Sequence, residues 1–323
     1  MADLASEARK ACQVLLTTCS DCGNDEHILI VTDPTSFKVA EAMWAAAEKF
    51  PNKSIVLMDE RTMHGQDPNR VVAAAMAKAD VIFGATKFSL FHSRARREAV
   101  AGGARFVNMV DYTMEMLRKG GLHADFIAQG LVCERMSKAM TGSRIHVATE
   151  QGTELTASIA GRATVPQYGR SLVPGASTSP PDIECAVGAI EGSANGVVFV
   201  DGSIPHPELG LIHDEIRLTI RDSVIVDISG GPQAKTLERI LKDFNDEKVY
   251  IVGEIGIGLN TGCELNGRML EDEGCAGTMH FGFGSNTGFH GTIDCAYHLD
   301  MVVRKPSMDV DGRFLLREGE IVV

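Results

Sequence analysis

Four residues in the last quarter of the chain have the types and spacing of a metal site: Glu254, His280, His298 and Asp300. His298 and Asp300 flank Leu299. In an extended strand, residues two apart face the same way, so imidazole and carboxylate converge on one point, as a first-row metal requires. His280 lies earlier, in Gly-Thr-Met-His-Phe-Gly-Phe-Gly (277–284), and a glycine-rich loop, Gly284 to Gly291, separates the two histidines. Mixed nitrogen and oxygen donors suit zinc, cobalt, manganese or iron. The lack of a cysteine cluster around them points to a catalytic site rather than a closed structural one. Taken singly, each residue has a bland reading: a histidine filling a tight turn, or a half-buried strand at Leu299. Four together beside glycine-rich segments, where backbone can approach a metal or substrate closely, favour a site.

The elements that must hold these residues fall into two parts. Residues 1–142 alternate between helical and strand patterns. Short apolar runs at His27 to Thr32, Lys53 to Met58, Asp80 to Ala85 and Arg105 to Val110 read as buried parallel strands. Helical patterns at Ala5 to Thr18, Phe37 to Phe50, Asn69 to Lys78 and Ser93 to Ala101 lie between them, the last stopping at Gly102-Gly103. This order predicts a doubly wound, Rossmann-like α/β domain. Asp33-Pro34-Thr35 follows the first strand in place of a glycine-rich phosphate loop, so dinucleotide binding has no support. Thr86, Ser89, His92, Arg94 and Arg96 follow strand ends, where such sheets bind ligands, and His92, Arg94 and Arg96 are candidate substrate contacts. Residues 143–323 change character. A hairpin turning at Gln151-Gly152, an ordered Pro/Gly/Ser-rich loop at Val173 to Pro181, short strands and one amphipathic helix, Pro232 to Asp246, predict an antiparallel-rich α+β metal-binding domain.

The 323 residues are 44% hydrophobic and 23% charged, enough to build a full core. A net charge of −12 and a pI near 5.3 argue against nucleic acid or an anionic membrane as partner. No run reaches the length of a spanning helix and no signal-peptide pattern opens the chain, so a cytoplasmic location is expected. Eight cysteines are too dilute for a disulfide scaffold, and the single Cys19-x-x-Cys22 pair reads as two reduced thiols near a helix end.

The segments Gly-Glu-x-Gly-x-Gly-x-Asn (253–260), Asp272-Glu273, Gly-Thr-x-His-x-x-x-Gly (277–284) and His-x-Asp (298–300) together resemble the aminopeptidase T family of metallopeptidases. Glu184 to Gly196 is similar to an earlier part of the same pattern. Met63-His64-Gly65 and Ser89 to Arg96 resemble it weakly. The resemblance implies Glu184, Glu254, His280, His298 and Asp300 as ligands of two divalent ions (zinc, cobalt or manganese) and a homodimer. It also implies cleavage of an amide or peptide bond in a small substrate. Two cations sharing a carboxylate can activate a bridging water, and Glu273 or Asp272 is the candidate proton shuttle. The same superfamily resemblance includes 2,5-dihydroxypyridine dioxygenase, which implies an alternative: one Fe(II) on Glu254, His298 and Asp300. The resemblance implies a difference at one of these positions, a histidine in that enzyme where this chain has Glu254, and no counterparts there of Glu184 and His280. Retention of both here favours the hydrolytic reading as the expectation. A non-catalytic metal or small-molecule binding protein is the third class.

Overall fold

The computed structural model describes residues 2–323. The chain forms two compact units, Met1–Ile127 with Tyr168–Pro181, and Ala128–Gln167 with Asp182–Val323. The fold is α/β, with one parallel sheet and two large antiparallel ones.

In the first unit the strands run in the order Lys53–Leu57, Ile28–Thr32, Val81–Ala85, Arg105–Asn108, Ser177–Thr178, all parallel. Ile28–Thr32 and Val81–Ala85 are buried at every position, which explains their unbroken apolar sequence. Leu29, Val31, Ile82 and Phe106 pack on one face against Val72, Met76, Ala95 and Ala99. The side chains that alternate with them, Ile28, Ile30, Val81 and Phe83, are equally buried. The helices start where polar caps meet their free amides. Asn69 Oδ1 accepts from Val71 and Val72 N–H ahead of Arg70–Met76, and Ser93 Oγ accepts from Arg96 N–H ahead of Arg94–Ala101.

The division of the chain corrects the expected single boundary at 142. Within the expected loop Val173 to Pro181, Ser177–Thr178 pairs parallel to Arg105–Asn108, so this segment returns to the first unit. Two strand residues carry no periodic signal, and their partner lies some seventy positions away in sequence, as in Val107↔Thr178.

The second unit contains an eight-stranded antiparallel sheet, from Val224–Gly230 at one edge to Glu320–Ile321 at the other. Its hairpin Arg144–Ala148 and Glu154–Ser158 turns at the expected place. Helix Pro232–Asp243 buries Ala234, Leu237, Ile240 and Leu241, and begins with proline, whose missing N–H costs nothing there. The other sheet has five strands in the order His298–Arg304, Thr278–Gly284, Val252–Gly258, Glu184–Gly188, Thr164–Gln167. It carries the candidate metal ligands. Among the described residues, no helix is long and apolar enough to cross a membrane.

Candidate metal centre

The register of the five-stranded sheet explains the spacing of its motifs. Glu254 lies opposite Gly282, which lies opposite Asp300; Gly256 lies opposite His280; Gly258 lies opposite Glu184; and Gly284 lies opposite His298. Alternation along each strand therefore gathers the ligands on one face and puts glycines between them. The glycines make room. A Cβ on Gly256 would lie 2.0 Å from His280 Nε2, and one on Gly282 would lie 2.6 Å from His298 Cε1. Gly-x-Gly here is the space that two imidazoles need over a sheet face.

The side chains converge as two sets. Glu184, Glu254 and His280 form one, and Glu254, His298 and Asp300 the other, each with donor atoms within 4.8 Å of one another. Glu254 is shared. Its Oε1 lies 3.5 Å from His280 Nε2, and its Oε2 lies 3.0 Å from His298 Nε2. Glu184 Oε2 is 3.2 Å from His280 Nε2, and Asp300 Oδ1 is 3.2 Å from His298 Nε2. Beyond these imidazole contacts, Glu184 Oε2 and Asp300 Oδ1 have no hydrogen-bond partner, and Asp182 Oδ1 and His280 Nδ1 are buried with none at all among the described residues. Buried carboxylate oxygens left this way are costly unless a cation completes them.

The protonation pattern points the same way. Burial alone would lower the pKa of His280, but Glu184 raises it well above the usual imidazole value; His298 is raised in the same way by Asp300 and Glu254. Asp300 is held below the usual carboxylate range, mainly by His298, against the effect of burial. Burial raises Asp182, Glu184 and Glu273, reinforced in Asp182 by Glu184 and in Glu273 by Asp300. Carboxylates raised by their neighbours beside imidazoles raised by carboxylates mark a face whose negative charge a cation would balance. The donor set, imidazole nitrogen with carboxylate oxygen, fits a divalent first-row ion.

The structure separates the two proposed proton shuttles. Glu273 hydrogen-bonds Asp300. Asp272 instead braces its own loop, with Oδ1 accepting from Asn266 N–H at 2.7 Å and Oδ2 from Gly267 N–H at 2.8 Å. Both of its oxygens accept from backbone amides of that loop. Two residues escaped the sequence reading. Asp182 reaches the centre from just ahead of strand Glu184–Gly188, and Gln167 Nε2 donates to Glu184 Oε1 at 2.9 Å. Asp-x-Glu ahead of a buried strand was the available signal for Asp182, since residues two apart share a face. Nothing local marks Gln167, which meets Glu184 only through strand pairing.

In the first unit, Arg96 donates to the Phe91 carbonyl at 2.5 Å and to Ser177 Oγ, with its guanidinium over the Phe91 ring. Arg94 lies near Asp67 and Glu98, and the His92 carbonyl accepts from Arg97. Burial pushes the Cys22 thiol up to about 11 and raises Cys19 further, so both remain protonated thiols.

The model of the family NicX: 2,5-dihydroxypyridine 5,6-dioxygenase matches residues 8–323. The chain belongs to this family. A 2,5-dihydroxypyridine 5,6-dioxygenase of Pseudomonas putida is 26% identical over 264 residues, covering 79% of this chain and 74% of that protein. The fold superposes on the structure of 2,5-dihydroxypyridine dioxygenase from Pseudomonas putida KT2440 with a TM-score of 0.84 at 21% identity, covering 99% and 98% of the two chains. Wild-type AmpT from Thermus thermophilus gives 0.72 at 13% identity, covering 98% and 99%. These two likenesses establish a shared fold. The family match overturns the expected aminopeptidase-type hydrolase, and with it the metalloprotease reading. Glu184 and His280, which had favoured hydrolysis, occur here in a chain of the dioxygenase family.

Proposed function

We propose that this chain is a metal-dependent oxygenase that opens the ring of a hydroxylated pyridine or a related hydroxylated aromatic. The observation that carries this is the Glu254–His298–Asp300 set, in which one imidazole and two carboxylates converge on the more accessible side of the ligand face. The His298 side chain is 29% exposed, against 1% for His280. Membership of the family and the dioxygenase activity named for its relatives support the reading. Glu254, His298 and Asp300 would hold Fe(II), which when bound would supply the one-electron chemistry that lets dioxygen react with an electron-rich ring.

The chain's own residues have definable parts. His298 donates Nδ1–H to the Ser285 carbonyl at 2.8 Å, which leaves Nε2 as the ligating nitrogen. Glu254 turns one oxygen toward each histidine and so links the two sets. Glu273, hydrogen-bonded to Asp300, would exchange a proton with the substrate hydroxyl. The second set, Glu184–Glu254–His280, would hold a second divalent ion, with Glu254 common to both sets.

The test combines elemental analysis with oxygen uptake on protein reconstituted anaerobically with Fe(II). Oxygen consumption with 2,5-dihydroxypyridine or another hydroxylated ring is expected, with about two equivalents of metal in the wild type and about one in Glu184→Gln. Binding of such rings without oxygen uptake in iron-loaded protein would leave a non-catalytic binding protein and sink the oxygenase reading.

A further inference from the structure

His298 is held differently from its neighbours. Glu254 and Asp300 have side chains only 2% and 9% exposed, whereas His298 is 29% exposed, so burial does not fix its ring. Besides Glu254 and Asp300 at Nε2, two contacts hold the ring, and both come from the segment that precedes its strand. The Ser285 carbonyl accepts from Nδ1 at 2.8 Å, and the Phe289 ring stacks on the imidazole, with centroids 5.9 Å apart and planes 25° apart. This segment has little apolar anchoring of its own: Thr287, Gly288, His290 and Thr292 are exposed.

Its anchor is Glu191, on the turn after strand Glu184–Gly188. Glu191 Oε1 accepts from Thr292 N–H at 2.8 Å, Thr292 Oγ1 at 3.2 Å and Asn286 Nδ2 at 3.1 Å. Glu191 Oε2 accepts from Arg162 Nη2 at 2.5 Å, and Arg162 Nη1 donates to the His290 carbonyl. Asn286 passes the restraint inward, its Oδ1 accepting from Ile293 N–H at 2.8 Å and its carbonyl from Gly291 N–H at 3.0 Å. Burial favours protonation of Glu191, yet the Thr292 amide, Asn286 and Arg162 hold its pKa down at about 2. A carboxylate bound by this many donors is a rigid post, because charge-assisted hydrogen bonds are the strong ones.

We propose that Glu191, with Arg162, is a positioning residue of the metal centre. It clamps residues 286–292 and, through Ser285 and Phe289, sets the tautomer and plane of His298. The inference rests on the reading of His298 as a metal ligand. A partner on the far nitrogen of a ligating histidine commonly controls metal affinity by about 10–100-fold.

The experiment is titration of the metal-free full-length chain with Co(II), read by the binding isotherm and by the visible ligand-field absorption. Glu191→Gln is expected to weaken binding by about 10-fold or more and to shift the absorption band, while unfolding stays cooperative. Arg162→Lys keeps the charge but cannot serve Glu191 and the His290 carbonyl together, and it decides the question if Glu191→Gln does not fold. It is expected to give the same shift. Wild-type affinity and spectrum in both variants would overturn the clamp. An equal loss in His146→Gln, on the other sheet of the same unit, would also overturn it by showing general destabilisation. If His298→Ala leaves isotherm and spectrum unchanged, the ligand assignment falls and the clamp falls with it. If His298→Ala loses binding while both clamp variants do not, only the clamp is refuted.

Discussion

At the carboxyl ends of the parallel strands, polar side chains satisfy one another. Asp33 Oδ1 accepts from Ser36 N–H at 2.9 Å and Oδ2 from Lys87 N–H at 2.6 Å, bridging the ends of the two central strands. Ser89, Asn108 and Ser179 form a chain, and Lys87 pairs with Asp111 at 2.6 Å. On the five-stranded antiparallel sheet the reverse holds. Asp182, Glu184, Glu254, Glu273 and Asp300 crowd around two imidazoles, and among the described residues three of their buried oxygens have no hydrogen-bond partner beyond those imidazoles. Doubly wound sheets bind ligands in the crevice where neighbouring connections diverge, and here Asp33 ties the two strand ends together with both oxygens. The lesson is that fold-level location is a weaker guide to a site than polar satisfaction. Each orphaned buried group costs about 1–3 kcal/mol, so a cluster of them persists where a ligand completes it.

The strongest way to break this contrast is to remove a ligand. His298→Ala or Asp300→Ala is expected to lose the ion of the Glu254–His298–Asp300 set and, with it, oxygen uptake, while the metal-free protein still unfolds cooperatively. Elemental analysis with calorimetry checks this, and retained oxygen uptake in either variant would end the assignment of these residues as metal ligands. Gly256→Ala comes next. Its new methyl would meet His280 Nε2, so a stability loss of about 1–3 kcal/mol and weaker metal binding are expected from urea unfolding and metal titration. Asp33→Ala probes the other region. Loss of two amide partners should cost about 1–3 kcal/mol and leave metal stoichiometry unchanged; a changed stoichiometry would show that the two regions are not independent.

The smallest effect is a slope with pH. His280 and His298 are raised above their unfolded value, near 6.5, and Asp182, Glu184 and Glu273 are raised too, so the metal-free folded state holds extra protons. For groups raised in this way, the stability they contribute is present below the unfolded pKa and is lost as pH rises through the folded one. The metal-free protein should therefore melt at lower temperature as pH climbs, from about 4 upward through the raised carboxylates and above about 6.5 through the histidines, and metal should flatten the slope because ligands bind deprotonated. A parallel slope in the metal-loaded protein would count against the cation occupying this face.

Much of this was legible in the sequence because it is local. His298-Leu299-Asp300, Gly253-Glu254 with its following glycines, and His280 among glycines announce one face of extended chain through period-two alternation, and the alternating helices and apolar strands of the first unit declare a parallel sheet. Tertiary structure alone decided the rest. Strand register made Glu254 common to both ligand sets and brought Gln167 to Glu184, and folding carried residues 168–181 back to the first unit. It also occupied both oxygens of Asp272 with loop amides while leaving Glu273 beside Asp300. The choice between hydrolysis and ring opening lay beyond the ligand types, because the same carboxylates and imidazoles hold ions for either chemistry. Pairwise alternation is written in neighbouring residues, whereas the meeting of distant strands is set by packing and hydrogen bonding over the whole unit.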